Sequence, residues 1–347
     1  MQPFEQLNLT PSTPTVSVVM AVKNGGEMVR ESVESILQQT FEDFEFIIIN
    51  DGSQDNTLVT LQQFSDARIR IYTQENQGLA RSLNRGIALA SGQYIARQDH
   101  DDISRSTRLE KQVDFFKKNA QYGLLGTGAE IWNEQGTTGR YHHHPTQAGR
   151  LAFELLFNNP FVHTSWMFPR AIIQKVGDYT TDPSREPPED YELVSRIAKT
   201  YPVANLEEQL VIYREVHNSI SSVLRPNQTA SNTFLARLAK LSTENLAHVL
   251  GLDASDPNML NFGALVHRYV PGLVGDPNLK YICELVFAAA EKIARQYAEP
   301  EVMQALETKI ALLESSYYIN SGRAPWLNKT QYRFKNKYRR LFLRERV

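Results

Sequence analysis

The sequence has a single cysteine, Cys283, and therefore cannot form an intramolecular disulfide bond. Folding without disulfides is typical of proteins in reducing compartments. The first residues, MQPFEQLNLTPSTPT, contain no apolar core of the kind that secretion signals carry. No uninterrupted run of about 18 apolar residues occurs, so no transmembrane helix is predicted. Together these absences predict a cytoplasmic protein.

An excess of charge of one sign is also missing. The 37 Lys and Arg residues nearly balance the 39 Asp and Glu residues, and the formal net charge of −2 argues against a nucleic-acid partner. The balance is uneven, because residues 321–347 contain nine Lys or Arg and one Glu. In the basic tail (331–347), one helical face carries Phe334, Tyr338, Leu341 and Phe342. This pattern predicts an amphipathic helix on an anionic membrane surface, the inner face of the cell membrane. The alternative is a terminal helix docked on the protein with a solvated basic face.

The chain has the composition of a globular protein long enough for more than one domain, with 347 residues, 41% of them hydrophobic and 22% charged. Apolar runs alternate with amphipathic helical patterns through the first hundred residues; the runs are VSVVMAV, FEFIIIN, RIRIYT and GQYIARQ. This alternation predicts an α/β fold with a mostly parallel sheet flanked by helices.

Beyond the α/β part, the strand pattern stops and helical spacing continues to about residue 320, which predicts a C-terminal helical region of about three to five helices. The predicted divisions are an N-terminal extension (1–13), an α/β domain (14–225), a helical C-terminal domain (226–330) and the basic tail (331–347).

Polar turns follow the first, second and fourth predicted strands, at residues 23–26, 50–53 and 99–102. Because the carboxyl ends of parallel strands meet at one edge of a sheet, we expect these turns to converge on a ligand site. Neither a Gly-x-Gly-x-x-Gly motif nor a Gly-Lys-Ser/Thr motif follows any of the strands. A dinucleotide fingerprint and a P-loop are therefore not supported.

The third of these turns is acidic. Asp99 and Asp101 are two residues apart, so in an extended segment their carboxylates point to the same side. Mg²⁺ and Mn²⁺ prefer such oxygen ligands and often bind a substrate diphosphate at the same time. The alternative is a solvated loop in which Asp102 or Ser104 caps the next helix.

In their order and spacing, these segments resemble the family 2 glycosyltransferases, inverting enzymes with the nucleotide-sugar-binding fold called GT-A. The resemblance covers about residues 14–222, in the segments VSVVMAVKNGG, FEFIIINDGSQDNT, NQGLARSLNRGIALASGQYIARQDHDDIS, RLEKQV, PPEDYELVSRIA and LVIYREVHNSIS. It implies transfer of a sugar from a nucleotide-diphosphate sugar to a glycan or lipid-linked glycan acceptor. It also implies a divalent metal, Mn²⁺ or Mg²⁺, and a place in cell-surface polysaccharide biosynthesis.

The resemblance implies roles for the residues that match the family's motifs. Asp51 would contact the nucleotide base or ribose. Asp101 would be a direct metal ligand, and Asp99 would reach the ribose, the metal or a metal-bound water. Asp190 would be the general base, with Glu189 beside it, although both could instead cap the helix that they begin.

Other matching positions are less clearly defined. His217 would lie near the diphosphate or the metal, and Asn24, Arg81 and Glu189 are further candidates for donor binding. Arg81 could pair either with a phosphate or with an acidic residue. The sequence departs from the family's pattern at His100, where a small residue is usual, and at Asn50, where a second aspartate is frequent.

Two functions of another kind remain open from the residues alone. One is a non-catalytic nucleotide-sugar-binding or scaffold protein, against which the retained acidic motifs argue. The other is a sugar nucleotidyltransferase, which usually has a Gly-rich basic loop after the first strand, and KNGG is a poor version of it. The consecutive histidines His142, His143 and His144 make a weak case for zinc, since neighbours in a strand face opposite sides.

Overall fold

A computed structural model describes residues 13–215 and 228–320. The chain divides into two compact units. The sheet unit contains the residues up to Leu151 and those that follow from Asn159, and the helical unit contains Ala152–Asn158 and the C-terminal helices.

Nine strands of the described residues form the sheet, in the order β3-β2-β1-β4-β8-β6-β9-β5 with β7 paired to β6. The four strands predicted from the apolar runs are neighbours and run parallel, whereas antiparallel pairs attach β8, β7 and β5. The strands are β1 (Val16–Val22), β2 (Phe44–Asp51), β3 (Ile69–Gln74), β4 (Tyr94–Asp99), β5 (Ile103–Ser104), β6 (Leu124–Asn133), β7 (Gly136–His142), β8 (Met167–Pro169) and β9 (Val203–Arg214).

The helices of the sheet unit connect these strands and cover the sheet. They are α1 (Met28–Leu37), α2 (Thr57–Leu61), α3 (Leu79–Leu89), α4 (Arg108–Lys118), α5 (Ala148–Glu154, which continues into the helical unit), α6 (Ile173–Val176) and α7 (Glu189–Ala198). The predicted α/β fold with flanking helices is confirmed.

The central strands are apolar on both faces because helices cover both. Every residue of β1 and β2 is buried. From α1, Val29, Val33 and Ile36 enter the core at helical spacing, so the amphipathic pattern of the sequence predicts the packed face. This packing fixes the carboxyl ends of β1, β2 and β4 side by side.

The helical unit has its own apolar core. Its helices are α8 (Gln228–Leu250), α9 (Pro257–Val266), α10 (Leu279–Tyr297) and α11 (Val302–Asn320). Phe153, Phe157 and Phe262 pack among the aliphatic side chains of these helices. The predicted helical C-terminal region is confirmed, and none of the helices in the described part of the chain is long and apolar enough to cross a bilayer.

Candidate active site

The first two polar turns are joined by hydrogen bonds at the carboxyl edge of the sheet. Asn24 donates its backbone N–H to Ser53 Oγ at 3.0 Å, and its side-chain Oδ1 accepts the Gln54 N–H at 2.9 Å. Asn24 has a φ of 54°, in the left-handed region that asparagine tolerates better than most residues. In this structure Asn24 therefore holds the turns after β1 and β2 together.

Asp51, the last residue of β2, is buried, and its carboxylate accepts three hydrogen bonds from the protein. The donors are Gln74 Nε2 and the backbone N–H of Gln77, each at 2.8 Å, and the backbone N–H of Gly78 at 2.9 Å. The predicted nucleotide-contacting aspartate thus organises the segment that leads from β3 into α3.

The third turn gathers three carboxylates at the end of β4. Ligand oxygens of Asp99, Asp101 and Asp102 all lie within 4.8 Å of one another, and we call these residues the acidic cluster. Asp99 is held by its backbone N–H, which donates to Thr164 Oγ1 at 2.9 Å. Within the described residues, the acidic cluster is the one place where three potential metal-ligand side chains converge.

The electrostatics of the acidic cluster fit a divalent cation. Burial and then the charge of Asp99 raise the pKa of Asp101. Burial, followed by the charges of Asp99 and Asp101, raises the pKa of Asp102 well above its usual range. The buried Oδ2 of Asp102 has no hydrogen-bond partner. Converging carboxylates that repel one another, one with an unsatisfied oxygen, suit a hard ion such as Mg²⁺ or Mn²⁺.

The position of Asp102 excludes the capping alternative. The next helix, α4, begins at Arg108 after Thr107, so neither Asp102 nor Ser104 caps it. Asp102 instead accepts the backbone N–H of Arg214, at the end of β9, at 2.9 Å. The side chain of Arg214 forms an ion pair with Glu31.

A buried cation lies behind the acidic cluster. Arg97 is 2% exposed, and its guanidinium forms an ion pair with Asp99. Burial alone would lower the pKa of Arg97, but the negative charges of Asp99 and Asp102 outweigh it, so the pKa is raised. Arg97 therefore stays charged and offsets part of the repulsion among the three aspartates.

The predicted base begins α7. Asp190 accepts a hydrogen bond from Asn159 Nδ2 at 2.8 Å, and its other oxygen accepts the Tyr191 N–H at 2.7 Å. Burial raises the pKa of Asp190, while the Tyr191 and Asn159 donors and the charge of Arg97 act in the opposite direction. Burial and then the charge of Asp190 raise the pKa of Glu189 to about 7. The two acids thus form a coupled pair that can hold a proton near neutral pH.

Arg81 is exposed on α3, with Nη2 3.5 Å from the carbonyl oxygen of Thr181. A further histidine, His163, lies 2.7 Å from the hydroxyl of Tyr179, and burial, followed by the charge of Arg97, lowers its pKa well below the usual range. His217 and the basic tail lie outside the described residues.

Comparison with known proteins gives the family. Residues 17–177 match the family model described as glycosyl transferase family 2. An uncharacterized glycosyltransferase of Haemophilus influenzae is 34% identical, over 74% of this chain and 80% of the relative. The O-antigen biosynthesis glycosyltransferase WbnJ of Escherichia coli is 34% identical, over 68% of this chain and 93% of its own. The chain belongs to glycosyl transferase family 2.

Further similarities agree with this assignment. The putative glycosyltransferase EpsE of Bacillus subtilis is 36% identical, over 59% of this chain and 74% of the relative. Among solved structures, TarS of S. aureus (residues 1–349, in complex with UDP-GlcNAc) superposes with a TM-score of 0.55 over 89% of this chain and 92% of that one. At 13% identity this superposition shows a shared fold. The predicted resemblance and the predicted glycosyltransferase activity are confirmed, and one of the relatives, WbnJ, is named for O-antigen biosynthesis.

For a family 2 glycosyltransferase, the structure adds two residues that the sequence patterns do not single out. Asp102 joins the acidic cluster because β9 supplies a hydrogen-bond donor from far along the chain. Arg97 follows the apolar start of β4, and it forms an ion pair with Asp99 at the end of the same strand. The available signal was a charged residue at a position where a strand buried on both faces should be apolar.

Proposed function

We propose that this glycosyltransferase moves a hexosyl or related sugar from a nucleotide-diphosphate sugar to a glycan or lipid-linked glycan, with inversion, in cell-surface polysaccharide biosynthesis. One observation carries the proposal. The short segment 159–164 contacts both sets of acids: Asn159 Nδ2 donates to Asp190 at 2.8 Å, and Thr164 Oγ1 accepts the backbone N–H of Asp99 at 2.9 Å. The acidic cluster and the predicted base are therefore held by one stretch of chain, as a single reaction centre requires.

The donor side of the reaction belongs to the acidic cluster. Asp101, Asp99 and Asp102 would hold the divalent ion, and a bound ion would offset the negative charge that grows on the departing diphosphate. His217 is a further candidate ligand on sequence grounds. Asp51 would contact the nucleotide base or ribose, and Asn24 and Arg81 remain candidates for donor contacts. The hydrogen bonds of Asp51 and Asn24 also fix the backbone of their turns.

The acceptor side belongs to Asp190. A sugar hydroxyl is a weak nucleophile, and a carboxylate within hydrogen-bond reach accepts its proton as the hydroxyl oxygen attacks the anomeric carbon. The carbon–oxygen bond to the diphosphate breaks on the opposite face, so a single displacement inverts the configuration. Asn159 and the Tyr191 N–H orient the two oxygens of the carboxylate, which keeps it in place before the acceptor arrives.

The location of the reaction rests on the sequence. The basic tail is the candidate contact with an anionic membrane, where lipid-linked acceptors are found. The enzyme would then work in the cytoplasm as a peripheral protein of the inner membrane face, without a spanning helix.

The test is replacement of the base together with analysis of the product. Asp190→Asn keeps the size of the side chain and removes proton acceptance, so turnover should fall about 10²–10⁴-fold with little change in donor binding. Asp178→Asn is the control, since Asp178 is an exposed carboxylate. NMR of the wild-type product should show the opposite anomeric configuration to the donor.

The outcomes separate the alternatives. If Asp190→Asn transfers sugar at nearly the wild-type rate, Asp190 is not the base and serves only to cap α7. A product with retained configuration would rule out direct displacement. Release of pyrophosphate from a nucleoside triphosphate and a sugar phosphate would indicate a nucleotidyltransferase, and donor binding without hydrolysis or transfer would indicate a binding protein.

A further inference from the structure

Three flat rings form a row that begins beside the acidic cluster. The ring of Tyr213 on β9 meets His142 of β7 edge to face, with centroids 5.4 Å apart and planes at 80°. His142 stacks in turn on His144, with centroids 5.9 Å apart and planes at 9°. We call Tyr213, His142 and His144 the ring row. Each of these side chains is half-buried, so part of its surface faces solvent.

The sheet places the ring row on one face. His142 is directly opposite Ala129 of β6, and Ala129 is directly opposite Val211 of β9. Residues paired in this way point to the same face of a sheet, and Tyr213 follows Val211 by two residues and so shares that face. Tyr213 packs against Ala129, Val162 and Val211.

The inner end of the row is close to the proposed reaction centre. Burial, followed by the charges of Asp102, Asp99 and Asp101, raises the pKa of Tyr213 to about 12. The next residue of β9, Arg214, donates its backbone N–H to Asp102 Oδ1 at 2.9 Å, so Tyr213 is adjacent to a residue bonded to the acidic cluster. His142 is the last residue of β7, and His144 follows the end of that strand.

The chemistry of the row suits a sugar. Burial lowers the pKa of His142, which favours the neutral form of its imidazole. A neutral flat ring packs well against the apolar C–H face of a pyranose, and its nitrogen atoms can exchange hydrogen bonds with hydroxyl groups at the ring edge. A site that combines apolar planes with a few polar atoms is typical of small polar ligands.

We propose that the ring row is the acceptor subsite, where one or two pyranose residues of the glycan pack on the solvent-facing surface of the row and place a hydroxyl toward the acidic cluster. This inference rests on the proposed function, because it assumes that the acceptor is a glycan. It adds the residues that choose the acceptor and the chemical feature that they recognise.

The experiment compares transfer to sugar with transfer to water. Purified full-length protein is first screened for the nucleotide sugar that it hydrolyses with Mn²⁺. Transfer from that donor is then measured to a defined set of disaccharides and trisaccharides of glucose, galactose, mannose, rhamnose and N-acetylglucosamine. In the double variant H142A/H144A, the ratio of transfer to hydrolysis should fall at least tenfold, through a raised acceptor KM.

The chain offers a matched control. His143 lies between the two histidines, is exposed, and has its ring 5.5 Å from that of Tyr141 instead of in the ring row. His143→Ala should keep the wild-type ratio. The variant H142F/H144F retains flat rings and should recover most of the transfer. If His142 and His144 had only a structural role, the ratio of transfer to hydrolysis would stay unchanged in all variants.

The results are distinguishable from failure of the proposed function. A wild-type protein that neither hydrolyses nor transfers from any nucleotide sugar contradicts the proposed function itself. Hydrolysis without transfer to any glycan of the set overturns the acceptor subsite alone. An unchanged transfer-to-hydrolysis ratio in H142A/H144A, or an equal loss in His143→Ala, also overturns it.

Discussion

At the scale of single residues, the site is a concentration of buried charge. Asp102 and Arg97 are both nearly inaccessible to solvent, and such groups cost folding free energy unless they are paired. Arg97 forms an ion pair with Asp99, while one oxygen of Asp102 is left without a hydrogen bond. In the metal-free protein, the buried charges of the acidic cluster therefore lower the free energy of unfolding.

The first residue-scale prediction concerns Asp102→Asn. Its side chain keeps an oxygen for the Arg214 N–H and removes one of three repelling charges, so the metal-free variant should melt at a higher temperature than wild type. A gain of about 1 kcal/mol corresponds to about 2–4 °C. The pKa of Asp102 is raised in the folded state, so its contribution to wild-type stability falls as pH rises above about 4, the ordinary pKa of an aspartate. The difference in melting temperature between the variant and wild type should therefore widen as pH rises over that range.

The same variant should lose its response to metal. Mn²⁺ stabilises the wild-type protein only if it binds the folded state, and removal of one of the three candidate ligands weakens that binding. Thermal melts with and without Mn²⁺ across pH 4–8 measure both effects. A variant that melts below wild type without metal, or that keeps the full Mn²⁺ response, contradicts this account of Asp102.

The second residue-scale prediction concerns the pH dependence of the base. Asn159 donates to Asp190 and so holds its pKa below the value that burial would produce. Asn159→Ala removes this donor and raises the pKa of Asp190 further. Since the base acts in its deprotonated form, the acidic limb of the pH–rate profile should move to higher pH.

The experiment compares the activity of the variant on the acidic limb of the pH–rate profile with its activity on the alkaline plateau. Activity of Asn159→Ala should fall most at low pH and return toward the wild-type value on the alkaline plateau. A loss of the same factor at every pH would mean that Asn159 acts on geometry, and a limb displaced to lower pH would contradict the assignment of Asp190 as the base.

At the scale of elements, helix α3 shows how closely the layers approach. Gly86 faces β1, and a Cβ atom at this position would lie 2.4 Å from Cγ1 of Val19. Glycine is a poor helix residue, so its presence in the middle of α3 reflects the short distance between helix and strand. The α3 segment also carries Asn84, which exchanges hydrogen bonds with the backbone of Tyr179 at 2.8 and 2.9 Å.

A pair of opposite substitutions tests this packing. Gly86→Ala improves helix propensity but overpacks the interface, and it should lower the free energy of unfolding by about 1–3 kcal/mol. Ala88→Gly, at an exposed position of the same helix, should cost only the propensity difference of about 1 kcal/mol. Urea denaturation compares the two. If propensity alone governs α3, Gly86→Ala will be more stable than wild type.

At the scale of the whole molecule, charge is segregated along the chain. Residues 321–347 contain nine Lys or Arg and one Glu, although the complete chain has a formal net charge of −2. The remaining residues are therefore acidic overall. An anionic membrane would attract residues 321–347 and repel the acidic remainder of the chain. A bound protein would therefore turn its C-terminal end toward the membrane.

Deletion of residues 332–347 tests the membrane contact. It removes seven Lys or Arg residues, each of which contributes up to about 1 kcal/mol near an anionic bilayer. The truncated protein should no longer sediment with phosphatidylserine vesicles, whereas its nucleotide affinity should stay the same. Binding of the full-length protein should weaken as salt rises. A full-length protein that ignores these vesicles at low salt contradicts the membrane proposal.

A second variant separates charge from apolar burial. Replacing Phe334, Leu341 and Phe342 by serine keeps every charge of the tail and removes three of the four residues of its apolar face. Partial, strongly salt-dependent binding is expected, because the electrostatic attraction remains while burial at the headgroup boundary is lost.

The sequence by itself determined the parts that depend on local periodicity and on strand order. Largely apolar runs predicted β1, β2 and β4, because strands covered on both faces are rich in apolar residues. The polar turns after them predicted the edge at which Asn24, Asp51 and Asp99 lie, since parallel strands end on one side. The family resemblance then supplied the activity.

Only the tertiary structure decided which distant groups complete the site. Asp102 belongs to the acidic cluster because a strand 112 positions away donates to it. The carboxylate of Asp51 accepts hydrogen bonds from the backbone N–H groups of Gln77 and Gly78, in the connection from β3 to α3. The ring row depends on how β6 is paired, residue by residue, with β7 and β9. Local patterns show which face a side chain takes, but long-range pairing determines which residues share that face.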